Sequence, residues 1–351
     1  MPTPKQRAEA FCERFGLRVP VVMGPMASAS PPALAAAVAN AGGLGSLGAL
    51  QMGPVAIADW AGTFRSRSNG AFQVNTWIPD PAPPRDPVQE ERMRGLLAAH
   101  GADMGDLDGP GLPDFGAQLE AILAAGPNVV SSIMGLYPPD FVEACRARGI
   151  AWFANVSCLE EARAAETAGA DAVVVSGAEA GGHRGAFEAE EAASRTGTTF
   201  ALVPQVADAV RVPVIAAGGI ADGRGLAAAL ALGAAAVQVG TALLRTPEAG
   251  IAPPWAEAIG RTRPEDTVMT RAFSGRFARA VRSAWTEAVG DDALPYPLQR
   301  MATGPMRDAA LRAGDAEHLQ MWAGQGARLA RAEPAGEVVR RMWDDARAIL
   351  A

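Results

Sequence analysis

The segment from Gly169 to Gly185, GADAVVVSGAEAGGHRG, runs an apolar, β-branched stretch straight into glycines and ionisable side chains. Asp171 to Val175 is suited to a parallel strand buried on both faces, so chemistry is expected where that strand ends. The chain has 3 histidines, and only His183 lies in such a glycine-rich strand-end loop. Its ordinary pKa, roughly 6.5, lets it take or give a proton near neutrality. Gly177, Gly181, Gly182 and Gly185 could admit a closely approaching ligand or simply make a tight polar turn, and the loop alone leaves both open. Two more loops carry glycine in positions suited to phosphate. Gly218 and Gly219 precede Asp222, which can cap the next helix, while Gly240 and Thr241 follow Gln238. Backbone N–H groups in such loops cradle anions, and the two loops together favour a phosphorylated ligand. The lone lysine is Lys5, so a phosphate would rest on backbone amides, with Arg224 and Arg245 as candidate helpers and no Schiff-base chemistry in the core.

The elements that must position these groups alternate between strand and helix. Short strands are predicted near residues 20, 45, 73, 129, 152, 173, 214 and 237. Three helices end in related junctions, ANAGGLGSLG, ETAGADAVVVSG and ALGAAAVQVG, each stopping at glycine and feeding a short apolar strand. This pattern predicts a closed (β/α)₈ TIM barrel over residues 18–246, preceded by a helical segment over residues 1–17. An open doubly wound sheet would be expected to carry a GxGxxG turn after a strand, and none is present. Ser30 is a candidate helix N-cap before Pro31. Prolines crowd the stretch from Pro79 to Pro87, and GADMGDLDGPGLP reads as an exposed connection without EF-hand spacing. From Pro247 the rhythm stops. Residues 247–351 are predicted as a C-terminal helical extension against the barrel mouth, as a lid or as added wall, with helices at Trp255–Ile259, Arg279–Ala288, Met306–Arg312, His318–Arg331 and Gly336–Leu350.

Composition narrows the functional class. At 351 residues and 49% hydrophobic, the chain can bury a large core. Its 31 basic and 38 acidic residues give a net charge of −7, without a basic cluster interleaved with aromatics, so nucleic acid is not an expected partner. Cys12, Cys145 and Cys158 are too scattered for a disulfide framework or a metal site. With no His/Cys/Asp cluster, a metal-centred oxygenase is not expected. The N-terminal stretch lacks a signal-peptide core and no run has the character of a membrane span, so no membrane partner and a cytoplasmic protein are expected.

Several segments together carry a resemblance. VVMGPMASASPPALAAAVANAGGLGSLG, FQVN ending at Asn75, SGAEAGGHRG from Ser176, AAGGIADGRGLAAALALGAAAVQVGTALL, FSGR, LPYPLQ and WAGQGA occur in an order that resembles the nitronate monooxygenase (2-nitropropane dioxygenase) family over roughly residues 18–335. The resemblance implies an FMN-bound TIM barrel that oxidises alkyl nitronates or small nitroalkanes with molecular oxygen. It implies flavin contacts at Met23, Gly24, Pro25, Met26, Asn75, Gly181, Gly182, Gln238, Gly240 and Thr241, phosphate contacts at Gly218 and Gly219, and His183 as the active-site histidine. Where many family members carry glutamine this chain has Ser176, whose shorter side chain implies a cofactor hydrogen bond lost or made through water.

In that chemistry FMN does the electron transfer and the protein supplies position and charge. His183 either removes the α-proton of a neutral nitroalkane or, protonated, holds the anionic nitronate. Two other functions share the same loops. One is an FMN-dependent NAD(P)H reductase of enoyl thioesters or quinones; the other is a catalytically silent FMN-binding barrel. The sequence leaves the oligomeric state open.

Overall fold

The computed structural model describes residues 2–351. Its strands are β1 (Val21–Met23), β2 (Gly45–Gly48), β3 (Phe72–Trp77), β4 (Val129–Ile133), β5 (Ala151–Val156), β6 (Ala172–Ser176), β7 (Gly182–His183), β8 (Val214–Ala217), β9 (Ala236–Val239), β10 (Thr267–Thr270) and β11 (Ala278–Val281). Eight of them form one parallel sheet in the order β1-β9-β8-β6-β5-β4-β3-β2. The last seam, between β1 and β2, narrows to a bridge at Val22 and Leu44, where Met23 N donates to Leu44 O (2.9 Å) and Leu44 N to Val21 O (3.0 Å). This is the expected TIM barrel, with helices outside.

The strands are short and apolar because both faces are covered. Val21, Met23, Val130, Ala154, Val173, Val175 and Val237 point outward into the helix layer, whereas Val22, Leu44, Val129, Phe153, Val174, Ile215 and Ala236 fill the barrel. Side chains alternate with a period of two, so each inward row continues two residues on. Those next positions are Asn75 above Gln73, Ser131 above Val129, Asn155 above Phe153, Ser176 above Val174 and Gln238 above Ala236. One inner face therefore changes from apolar floor to polar rim toward the carboxyl ends of the strands.

The opposite end of the barrel is plugged. The helix Pro4–Phe15 starts at a Thr3/Gln6 capping box and ends at Gly16, whose φ of 67° is readily adopted by glycine. It inserts Phe11 and Cys12 among the interior residues, and Phe15 packs edge-on to Phe153 at 4.9 Å. At the C-terminus the amphipathic helix Ala335–Ile349 lies across the helix Gly223–Ala231. A Cβ at Gly223 would come within 2.4 Å of Asp345 Cβ, so the close crossing depends on glycine there. Among the described residues no helix is long and apolar enough to cross a membrane.

Three local expectations are corrected. Ser30 does not cap the helix Pro32–Asn40; its hydroxyl is turned back to Met26, accepting from the backbone N–H (2.8 Å) and donating to the carbonyl (2.9 Å). Arg279–Ala288 is not one helix. Its first part is strand β11, which pairs antiparallel with both β10 and β7, and only Ala284–Val289 is helical. His318–Arg331 is an irregular segment with one turn of helix at Ala327–Leu329, because Gly324 and Gly326 run against neighbouring backbone. The extension is therefore mixed rather than wholly helical. Tertiary pairing has overridden local helix preference.

Truncating the plug tests how far the barrel depends on it. Phe11→Ala is expected to cost about 3–5 kcal/mol of stability, seen as a lower denaturation midpoint, while the native fraction keeps its ligand affinity. An unchanged midpoint would show that the plug is dispensable.

Candidate active site

A cavity of about 670 Å³ opens at the carboxyl ends of the barrel strands. Its lining includes Gly24, Pro25, Met26, Asn75, Ser176, Gly181, Gly182, His183, Gly218, Gly219, Gln238, Gly240 and Thr241. Met23 is the one anticipated contact that does not line it. That residue is fully buried one step down β1, and its carbonyl accepts from Gln73 Nε2 (3.0 Å).

The His183 loop is held from below and from above. Arg184 is buried, and its guanidinium donates to the carbonyls of Ser176 (2.7 Å), Gly177 (2.9 Å) and Arg195 (2.6 Å), fixing the end of β6. Burial pushes the Arg184 pKa down to about 10. From above, β7 pairs with β11 in the register His183 to Ala278 and Gly182 to Arg279. A Cβ on Gly181 would lie 2.4 Å from Gly324 N, so this loop and the returning C-terminal segment meet backbone to backbone. Gly324 N donates to Thr241 Oγ1 (3.0 Å) and Gln325 N to Glu179 O (2.9 Å), which ties that segment to the loops after β6 and β9.

His183 is half-buried, its Nε2 2.8 Å from Ser274 Oγ. Ser274 Oγ also lies 3.2 Å from the Arg276 carbonyl and 3.4 Å from the Arg276 N–H. The serine has one proton, and the carbonyl can only accept. All three contacts are satisfied when Ser274 donates to Arg276 O and accepts from His183 Nε2–H. That assignment leaves Nδ1 as the basic atom, and no protein group among the described residues hydrogen-bonds to it. Trp77 and Trp322 stand edge-on to the imidazole at 4.5 and 5.0 Å. Burial, followed by the charges of Arg300 and Arg276, pushes the His183 pKa down to about 3. The imidazole is thus a neutral base at neutral pH, and a protonated resting form is disfavoured.

The two arginines differ in their ties. Arg276 is engaged: it is buried, forms a two-point ion pair with Asp80 and donates to Ala186 O (3.2 Å). Arg300 lines the cavity and its guanidinium has no hydrogen-bond partner among the described residues; burial lowers its pKa from the ordinary value. It leaves a positive charge without a hydrogen-bonded partner, tempered by Asp308, facing the space beside His183. Around the barrel rim, Asn75 Nδ2 donates to Ser131 O (3.0 Å) and Oγ (3.1 Å), while Asn155 Oδ1 is buried without a partner.

The phosphate-type loops have the anticipated backbone character. Gly218 and Gly219 adopt φ of 108° and 72°, and Thr199 Oγ1 donates to Gly218 O (2.9 Å). Asp222 caps the next helix at Arg224 N (3.0 Å) and Gly225 N (3.2 Å). Neither suggested arginine joins the site. Arg224 pairs with the exposed side of Asp222, and Arg245 donates to Ala330 O (2.9 Å). The other two histidines, His100 and His318, bond to each other at 2.9 Å outside the cavity.

Trp77, Ser131, Asn155 and Arg300 escaped the sequence reading. The first three were accessible through the period of two, since they continue inward rows; Arg300 lies on the helix Leu298–Ala302, too short to show a period, and Trp322 reaches the cavity from an irregular segment.

A family model described as nitronate monooxygenase matches residues 9–345 of this chain. The chain belongs to the nitronate monooxygenase family, a family of enzymes. It is 39% identical to a nitronate monooxygenase of Pseudomonas aeruginosa, over 97% of this chain and 99% of that relative. Its structure is similar to that of nitroalkane oxidase from Streptomyces ansochromogenes, with a TM-score of 0.90, 38% identity and coverage of 97% and 100% of the two chains. FabK from Thermotoga maritima is also similar, with a TM-score of 0.77, 30% identity and coverage of 97% and 96%.

The depressed His183 pKa has a consequence for stability. Between the unfolded value of roughly 6.5 and the folded value of about 3, the unfolded chain binds a proton that the native site refuses. His183 therefore makes the protein lose stability as pH falls through that window. His183→Asn should show a shallower fall in Tm between pH 6.5 and 4 than the parent; parallel curves would refute the desolvated, neutral imidazole.

Proposed function

We propose that this protein is an FMN-dependent nitronate monooxygenase, oxidising alkyl nitronates or small nitroalkanes with molecular oxygen and releasing nitrite. The observation that carries the reading is a neutral, desolvated His183 sharing one cavity with the Gly218–Gly219 and Gly240–Thr241 loops, in a chain of that family.

The residues present fit FMN. Backbone at Gly218, Gly219, Gly240 and Thr241 would hold the phosphate, where the positive φ of both Gly218 and Gly219 leaves the chain free of side-chain bulk. Asn75, Ser176 and Gln238 would face the polar parts of the cofactor, bordered by Gly24–Met26 and Gly181–Gly182. Met23 supports this wall from behind. Bound there, FMN supplies electron acceptance and the reaction with oxygen.

The chain's own contributions are proton handling, charge and exclusion of water. Nδ1 of neutral His183 can take the α-proton of a nitroalkane, and the imidazolium so formed is then paired with the new nitronate anion. A preformed nitronate needs no such transfer. Arg300 offers positive charge to the anionic nitro group in either case, and Trp77 with Trp322 shields the exchange from solvent.

Purified protein should be yellow and release a chromophore with the mass of FMN. Gly219→Val, which forces a β-branched residue to φ of 72°, should weaken FMN binding; unchanged affinity would remove that loop from the phosphate site. The reaction is tested by anaerobic flavin reduction with nitroethane, ethylnitronate, NADH and NADPH, followed by nitrite release on adding oxygen. His183→Asn should lose about 10²-fold or more on neutral nitroethane while keeping much more activity on preformed ethylnitronate. Equal losses would instead indicate anion positioning. Fast reduction by NAD(P)H without nitrite from any nitronate would favour a reductase, and bound FMN without turnover a silent barrel.

A further inference from the structure

A second, smaller cavity of about 330 Å³ lies beside the first, between the segments that follow β1 and β2. Met26, Ala27, Ser28, Gln51 and Gly250 line both spaces. Ser28, Gln51 and Gly250 are exposed, so the two spaces share a rim, whereas Leu47, Gly48 and Trp60 are buried and form the inner end of the smaller one. One layer of chain stands between them. A Cβ on Gly48 would lie 2.7 Å from Ala27 N, and a Cβ on Gly240 would lie 3.3 Å from Met26 Sδ. The Met26–Ala27 backbone thus rests against the inner end of this side chamber, while the Met26 thioether reaches the loop after β9 that lines the larger cavity.

The chamber is largely apolar, because much of the polar surface around it is bonded within the protein. Leu47, Met52 and Trp60 line it, and Trp60 stacks on Phe64 at 5.6 Å. Trp60 Nε1 donates to Ser30 O (2.8 Å), and the Ser30 hydroxyl is closed on both backbone groups of Met26. Gln118 Nε2 donates to the carbonyls of Ala49 (3.0 Å) and Met52 (2.9 Å), which occupies acceptors that water would otherwise use. An apolar space with few free donors or acceptors is a poor site for water and a good one for a small apolar molecule, xenon included. Dioxygen is such a molecule, and the reaction proposed above consumes it. The larger cavity, with its polar rim and the cationic Arg300, suits charged and polar groups instead.

We propose that the side chamber collects dioxygen and delivers it to the FMN cavity past Met26, leaving the larger mouth to the nitronate. Methionine suits the crossing point, since an unbranched thioether with three rotatable bonds turns aside readily in packed surroundings. The use of oxygen rests on the oxygenase reading; the affinity of the chamber for an apolar gas rests on its lining alone.

Crystals of the FMN-loaded protein under xenon pressure should hold xenon against Leu47, Met52 and Trp60. Met52→Trp, which places a bulkier side chain at a half-buried position of the lining, should expel it. In solution, the FMN-loaded protein is photoreduced without oxygen and then mixed with it, so that reduced FMN passes two electrons and two protons to each dioxygen and hydrogen peroxide forms. Met52→Trp should lower the second-order rate constant of this reoxidation by about tenfold, a barrier higher by ~1.4 kcal/mol. FMN content and anaerobic reduction by ethylnitronate should stay within about twofold of the parent. Ala249→Leu, which narrows the chamber from the segment after β9, should act in the same direction, and Met52→Leu should leave the rate near the parent's. Ordered water in place of xenon, or reoxidation unchanged in a variant that has lost the xenon, overturns the proposal. So do equal losses of reduction and reoxidation, which mark a chamber that only supports the flavin site. Xenon in the chamber and slower reoxidation on filling it, with no nitrite from any nitronate, would support the oxygen route and overturn the reaction assigned to the flavin.

Discussion

The two-residue pairing of Gly182–His183 with Ala278–Arg279 is the constraint on which the site depends. An isolated strand so short has too few hydrogen bonds to hold its shape, so its geometry is borrowed from β11 and, through it, from β10. The same pairing brings Ser274 to His183 Nε2. It also seats Arg276 against Asp80, at the start of the proline-rich loop after β3. Removing one partner of such a buried pair leaves an uncompensated charge, typically at a cost of about 3–5 kcal/mol. The pair therefore fixes the loop and the serine that orients the base together.

Electrostatics around the base run against the ordinary behaviour of histidine. Burial, followed by the charges of Arg300 and Arg276, holds the half-buried ring neutral, and Ser274 leaves the open lone pair on Nδ1. The positive charge suits an anion in the cavity better than a proton on the imidazole. In the proposed reaction, positive charge placed there would meet the anion formed when a proton leaves the substrate, which is where preorganised charge is most effective.

The two walls of the larger cavity follow from the fold. Parallel strands end at one level, and glycine loops there let backbone approach a ligand closely. The C-terminal segments must cross over that level, and their only route to burial is against the loops. Gly181, Gly324 and Gly326 permit this approach, and the resulting wall carries the side chains that differ most from the polar rim: Trp255, Trp322, Leu311 and Leu319.

The barrel was legible in the chain because its signals are local and repeated. Apolar β-branched runs, glycine stops and proline-led helices recur through eight units, so even short elements reinforce one another. The glycine loops were legible too, since a positive φ leaves few alternatives to glycine. The period of two also encoded the polar rim at Asn75, Ser131, Asn155, Ser176 and Gln238. What local pattern could not supply was the partner of each segment. Ala278–Val281 has the composition of a helix and becomes a strand only because β7 and β10 offer backbone groups on both sides. Trp322 and Ser274 lie in irregular chain and Arg300 on the short helix Leu298–Ala302, with no period to say where they point. The tautomer and depressed pKa of His183, and the exclusion of Met23 from the cavity, arise from burial and from contacts between residues far apart in sequence. Sequence determined the elements and the residues at their ends; tertiary packing decided which of those residues met and what charge they could carry, because desolvation and long-range pairing exist only once the chain has folded.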